Sequence, residues 1–199
     1  MGVVERRERE KTELRREILA AARRIFVEEG FEALTMRRVA EEIEYSPTTI
    51  YLYFKDKAEL VQAICDELFN GLVRRLQEVA AKHTDPLSYL EAGLRTYIDF
   101  GLKHPSHYYV AFVASAGRVD YTYEGSTGQK AFEFLRQCVA RCIESGQIRK
   151  VDVDATAQAL WAAMHGLVAL LIADKSFPFV GRQRLIDQLV ETQIRGLRA

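Results

Sequence analysis

A chain of 199 residues, 48% hydrophobic and 28% charged, is long enough to bury a substantial core and has an ordinary globular make-up. Lys plus Arg and Asp plus Glu both total 28, so overall charge does not mark the chain for nucleic acid or membrane, and any such role must rest on a local patch. Three cysteines, Cys65, Cys138 and Cys142, are an odd number set in helical patterns, which argues against a secreted disulfide scaffold and for a reducing cytoplasm. No charged-then-apolar leader opens the chain, and the longest apolar run, from Ala159 to Ala173, is shorter than the roughly 20 residues of a membrane span. The expectation is a cytoplasmic protein with no membrane partner.

The opening residues, MGVVERRERE, are polar and mixed in sign and are expected to form a flexible arm over residues 1–10 or an exposed helical lead-in. From Lys11 the apolar residues Leu14, Ile18, Ala21, Ala22, Ile25 and Phe26 recur at helical spacing. Gly30 ends this helix, and a left-handed cap is expected there. Thr35 is a good N-cap for a short helix, MRRVAEEI, with Met36, Val39, Ala40 and Ile43 on one face. Ser46 caps the next, with Pro47 at its first position, where a missing N–H costs nothing. Two short helices joined by so tight a turn form a helix-turn-helix.

A further helix opens at Lys55-Asp56-Lys57 and is expected to run from about 56 to 81. Beyond it the pattern predicts helices at about 86–103, 105–117, 125–145, 152–173 and 181–197, with a break from Gly117 to Gly128. No stretch alternates as a strand, so the fold class is all-α with about nine helices. The expected organisation is an arm over 1–10, a helix-turn-helix domain over 11–56 and a second helical domain over 57–199, connected by the helix at 56–81.

A helix that enters the major groove needs a short, polar, largely uncharged outer face, since acids there are repelled by phosphate. Ser46, Thr48, Thr49 and Tyr51 supply that face, while Ile50 and Phe54, four apart, point inward. Tyr53, Lys55 and Lys57 flank it on one side. Thr35, with Arg37 or Arg38, is placed to grip the backbone on the other.

The segment RREILAAARRIFVEEGFEALTMRRVAEEIEYSPTTIYLYFKDKAELVQAICDELF, with its helix-Gly-Phe, its Thr before a short amphipathic helix, its Ser-Pro and its Tyr-x-Tyr-Phe-x-x-Lys, closely resembles the DNA-binding domain of TetR/AcrR-type transcriptional regulators. The resemblance implies that Thr35, Arg37, Ser46, Thr48, Thr49, Tyr51, Tyr53, Lys55 and Lys57 face double-stranded DNA, with Tyr51 and Thr48 at bases. One position departs: Glu44 stands in the turn where such proteins commonly place glycine. A non-glycine residue at positive φ costs on the order of 1 kcal/mol, so a strained or differently shaped turn is expected.

Beyond residue 70 the resemblance is one of architecture and implies a small-molecule effector domain that forms a homodimer through its last two helices. Trp161, His165 and Gly166 look like the Trp-x-x-x-His-Gly signature of one C-terminal subclass. Candidate effector contacts are Tyr97, Phe100, Tyr109, Phe112, Phe134, Trp161 and His165, although helical spacing favours core for most of the aromatic residues. Small and apolar residues suggest an interface of Ala159, Ala163, Leu167 and Leu170 with Leu189, Gln193 and Ile194.

His104 and His107 lack a carboxylate or cysteine at matching spacing, and the chain has no nucleophile elbow or phosphate loop. No metal, cofactor or enzymatic activity is therefore expected. The function implied is a ligand-responsive, DNA-binding repressor released from its operator by a partly apolar effector.

Overall fold

The computed structural model describes residues 2–114, 123–174 and 176–199. Among them it shows α1 (Val3–Glu29), α2 (Met36–Glu42), α3 (Pro47–Tyr51), α4 (Lys57–Ala80), α5 (Pro86–Lys103), α6 (Pro105–Tyr108), α7 (Thr127–Glu144), α8 (Val153–Ala173) and α9 (Arg182–Leu197), and no strand. The all-α expectation holds. Most starts are fixed by a side-chain oxygen accepting a backbone N–H that the first turn leaves unpaired. Thr35 accepts from Arg38, Ser46 from Thr49, Asp85 from Ser88, Ser126 from Gln129 and Asp152 from Ala155.

Of the two readings of the opening residues, the structure shows the exposed helical lead-in, since α1 begins at Val3. Two features differ from expectation. α6 holds only Pro105–Tyr108 before the backbone widens into a π-helical segment, Tyr109–Ala114, a change of register that hydrophobic spacing does not announce. The remainder of the helix expected to 117, and the start of the break after it, lie outside the described residues. Gly30 takes φ 92° and ψ 174°, not the left-handed helical cap expected, while its N–H still donates to the Phe26 carbonyl at 3.1 Å.

The chain divides into two compact units, Met1–Leu68 with Ser106–Tyr121 and Phe69–Pro105 with Thr122–Ala199. The first is built on Ile18, Ile25, Phe26, Leu34, Val39, Ile50, Phe54, Leu60, Ile64 and Tyr108, all essentially removed from water. Burial of this kind contributes about 25 cal/mol per Å² of apolar surface. In the second unit α5, α7, α8 and α9 pack on one another. Tyr89, Leu90, Leu94, Ile98, Val139, Leu160, Met164, Val168 and Val190 fill its interior.

Polar ties close the ends of this second unit. Gln147, in the α7–α8 turn, accepts from the Leu87 N–H at 3.1 Å and donates to the Asp85 carboxylate. The Arg149 N–H donates to the Leu197 carbonyl at 2.9 Å, so the last turn of α9 is pinned to the same turn.

Gly30 generates a direct test. Nothing lies within 4 Å of where its Cβ would stand, so space is not the obstacle, but its backbone region is essentially restricted to glycine. Gly30→Ala is expected to destabilise the first unit by about 1–3 kcal/mol in urea melts. An unchanged midpoint would contradict the strain.

Candidate functional site

α3 contains only five residues, too few to be helical on its own in water, so its position is set by its anchors. Ile50 and Phe54 are buried, and the Arg15 guanidinium covers the Phe54 ring at 4.9 Å. Opposite Ile50 the helix presents Thr48 and Tyr51 to solvent, with Tyr51 56% exposed. Ser46 is exposed and Thr49 half-buried, and both are engaged in the cap. The Ser46 Oγ accepts the Thr49 N–H at 3.2 Å, and the two hydroxyl oxygens lie 2.9 Å apart. From Tyr45 to Lys55 there is no acidic residue.

The turn before α3 explains how Glu44 is tolerated. Glu44 has φ 59°, the only positive value at a non-glycine among the described residues. Its N–H donates to the Glu41 carbonyl at 3.3 Å, and the next N–H, of Tyr45, donates to the Ala40 carbonyl at 2.9 Å. These two bonds form a Schellman closure, in which the residue after the cap normally is glycine. α7 ends in the same closure with a glycine in place: Gly146 has φ 71°, its N–H donates to Ile143 at 3.0 Å, and Gln147 donates to Cys142 at 3.1 Å. Of the two outcomes expected for Glu44, the structure shows the usual turn shape held under backbone strain.

The basic residues separate by partner. Arg38 is spent inside the unit, with its guanidinium 2.7 Å from Glu29 and 2.9 Å from Glu42, and Arg24 reaches Glu42 at 2.9 Å. Arg37 pairs only along its own helix, with Glu41 at 3.0 Å, and its side chain is 83% exposed. An exposed pair of this kind contributes little and is readily exchanged. Of the two arginines expected to grip a backbone, Arg37 is therefore the one turned outward.

Lys57 also differs from its expected posture. Its ammonium donates to the Phe31 carbonyl at 2.5 Å and stands 3.6 Å over the Phe31 ring, and burial pushes its pKa below the ordinary lysine value, with Glu32 opposing. Spacing had no means of showing this brace to Phe31. The N-terminus of α4 is also furnished with acids: Asp56 accepts the Glu59 N–H at 2.9 Å, and Glu59 accepts the Lys55 N–H at 2.5 Å. The Lys55 side chain remains exposed, Tyr53 is half-buried, and Thr35 is exposed at its cap.

The second unit gathers some of the expected effector contacts. The Trp161 indole N–H donates to Tyr97 Oη at 3.2 Å, the His165 ring lies 5.6 Å from Trp161, and Phe132 meets Trp161 edge-on at 6.3 Å. Burial lowers the pKa of His165, favouring its neutral form. Phe132, in the first turns of α7, is the member that the sequence-derived set left out.

Phe134 packs edge-on against Tyr89 at 5.3 Å, and Phe100 rests on Gly71, where a Cβ would come within 2.8 Å of its ring. Tyr109 and Phe112 fall in the π-helical segment of the first unit, with Phe112 4.7 Å from Tyr108. Cys138 and Cys142 are buried, which pushes their thiols up to about 12 and about 11 and makes them poor nucleophiles. Among the described residues, no group of three His, Cys, Asp or Glu could hold a metal ion.

α8 is long and apolar enough to cross a membrane by length and composition, yet only 28% of its most apolar window is buried. Of the expected interface set, Leu167 and Ile194 are buried within the chain, Ala163, Leu189 and Gln193 are half-buried, and Ala159 and Leu170 are exposed.

A short polar-faced helix, seated by a capped turn on a three-helix core, defines a helix-turn-helix protein, and the second helical unit narrows the class. Residues 18–64 match the model of the tetR family of bacterial regulatory proteins, and residues 90–197 match that of the tetracyclin repressor-like C-terminal domain. The chain belongs to the tetR family. It is 28% identical to the HTH-type transcriptional repressor AcnR of Corynebacterium efficiens, over 91% of this chain and 92% of that protein. It is 35% identical to an uncharacterised HTH-type transcriptional regulator of Haemophilus influenzae, over 34% of this chain and 36% of the relative.

Several such curated relatives are matched over only 36% to 45% of their length. A tetR-family regulatory protein of Rhodococcus RHA1 has the same fold, with a TM-score of 0.77, 17% identity and coverage of 93% of this chain and 97% of that one.

Two tests follow from the turn and the ion-pair cluster. Glu44→Gly trades relief of a left-handed side chain, about 1–2 kcal/mol, against about 0.5–1 kcal/mol of added chain entropy. Melts should show the variant no less stable and up to about 1.5 kcal/mol more so. Glu42 has its pKa held low by Arg24 first and Arg38 second. A depressed carboxylate stabilises the fold above its unfolded pKa, and that contribution is lost as pH falls through the folded value. Glu42→Gln should therefore flatten the fall in melting temperature below about pH 5.

Proposed function

We propose that this chain is a ligand-responsive, DNA-binding transcriptional regulator, a repressor released from its operator by a small, partly apolar effector. The observation that carries the reading is the acid-free stretch from Tyr45 to Lys55, whose helix buries Ile50 and turns Thr48 and Tyr51 outward. In the proposed complex Thr48 and Tyr51 meet base edges, with Ser46, Thr49 and Tyr53 beside them. Thr35, Arg37 and Lys55 contact phosphate. Lys57 joins this set by releasing the Phe31 carbonyl and ring, contacts that must be given up for the phosphate. Such a protein, whose partner is chromosomal DNA, works in the cytoplasm.

The proposed division is a helix-turn-helix domain over 11–56 and an effector and dimerisation domain over 57–199, which opens with α4. The contact between Trp161 and Tyr97, with His165 beside it, supports the Trp-x-x-x-His-Gly subclass and an effector site built on these three. Phe100 and Phe134 of the same unit are proposed as further contacts. The uncovered apolar side of α8, with Ala159, Ala163 and Leu170, supports a homodimer closed by Leu189 and Gln193 of α9, while Leu167 and Ile194 back the same surface from inside. Such a dimer presents two recognition helices to half-sites about 34–36 Å apart. An effector releases DNA only by binding one spacing better than the other. A regulatory role is preferred to an enzymatic one because the aromatic cluster brings no acid and base together around a nucleophile.

Binding selection from genomic fragments tests the reading, which fails if no fragment is retained better than random duplex. On a selected operator, Tyr51→Ala should cut discrimination between operator and random duplex. Lys55→Ala should weaken both alike and lower the salt slope by about one unit, the effect of one phosphate left unneutralised. Equal, sequence-independent losses from both variants would show that Tyr51 reads no base.

A further inference from the structure

The residue that caps the end of α3 is neither polar nor among those expected to meet DNA. Leu52 follows the last residue of the helix and keeps helical dihedrals, φ −72° and ψ −18°, so its side chain stands one turn beyond Thr48 on the ridge opposite buried Ile50. It is 77% exposed, more than any other large apolar residue among those described. Scattered surface leucines need no explanation, but this one lies on the face that the proposed function turns toward a polyanion. A leucine has no donor to offer a phosphate. The apolar group that the major groove displays is the C5-methyl of thymine.

We infer that Leu52 is a specificity-determining residue that packs against a thymine methyl in each half-site, so that the operator carries thymine at a fixed place beside the position read by Thr48. The inference rests on the reading of α3 as a DNA-recognition helix. Three features favour duplex DNA over other occupants of this surface: continuity with Thr48 and Tyr51, the absence of acid from Tyr45 to Lys55, and exposed Lys55 and Arg37 on either side. A protein partner with an apolar groove would have no use for that charge pattern. The exposure of Leu52 also means that its truncation leaves the core intact.

The test uses the full chain and an operator obtained by selection from random duplex. Each thymine is replaced in turn by deoxyuridine, which removes only the methyl, and affinities are measured for the wild type and for Leu52→Ala. One methyl buried against leucine is expected to weaken wild-type binding about fourfold when removed, at one position per half-site. Leu52→Ala should lose that penalty at the same position while keeping the penalties elsewhere and an unchanged melting temperature.

If no duplex is selected at all, the proposed DNA-binding function fails, and this inference with it. If duplexes are selected but the wild type ignores every deoxyuridine, or Leu52→Ala leaves the pattern intact, the function stands and the inference is overturned. A uniform weakening of all duplexes by Leu52→Ala, as from contact with deoxyribose, would overturn it equally.

Discussion

The seating of a five-residue helix on Ile50 and Phe54 is the constraint on which the rest depends. So short a helix gains almost nothing from its own backbone bonds and is defined by what buries it and what caps it. With Ile50 and Phe54 in the core and Ser46 closing the first turn, the direction of every other side chain on α3 follows from the 3.6-residue period. The Schellman closure at Glu44 fixes the angle at which the chain arrives. Strain at that single residue is offset by two backbone bonds, those of Glu44 to Glu41 and Tyr45 to Ala40, and by a helix delivered in register.

Electrostatics around this seat is arranged by removal as much as by supply. The chain is neutral overall, so a surface that attracts phosphate must keep its acids occupied elsewhere. Glu29 and Glu42 are both bound to Arg38, and Glu42 to Arg24 as well, which ties the end of α1 to α2. That arrangement consumes two arginines internally and leaves Arg37 and Lys55 for the outer face. The acids Asp56 and Glu59 cap α4 instead of pointing along α3.

Much of this was legible in the sequence because caps and turns are written in single residues. Thr35 and Ser46 with Pro47 each announced a helix start that the structure shows, and Glu44 marked itself by standing where glycine is usual. What stayed hidden depends on partners remote in the chain. Lys57 reads as a surface cation until Phe31, 26 residues earlier, is seen to hold it. Leu52 reads as one more apolar residue until Ile50 fixes which way is inward. The aromatic supply of the second domain could not be sorted by spacing, since Phe134 meets Tyr89, and Phe100 meets Gly71, across separate helices. The change to a π-helical register at Tyr109 has no single-residue signal at all.

The make-up of α8 suits the close homodimer proposed above. Its uncovered side carries Ala155, Ala159, Ala162, Gly166 and Ala173, which bury little area each and so contribute little hydrophobic free energy. In the proposed dimer their value is distance: without long side chains, two copies of the helix would approach backbone to backbone and meet at a separation set by contact, not by rotamers. Area must then come from the flanks, where Leu170 is exposed beside the small residues and Leu189 is half-buried on α9. For a proposed dimer whose recognition helices must reach successive turns of a duplex, a close and inflexible axis holds the spacing. In the proposed switch an effector then has two defined arrangements to choose between.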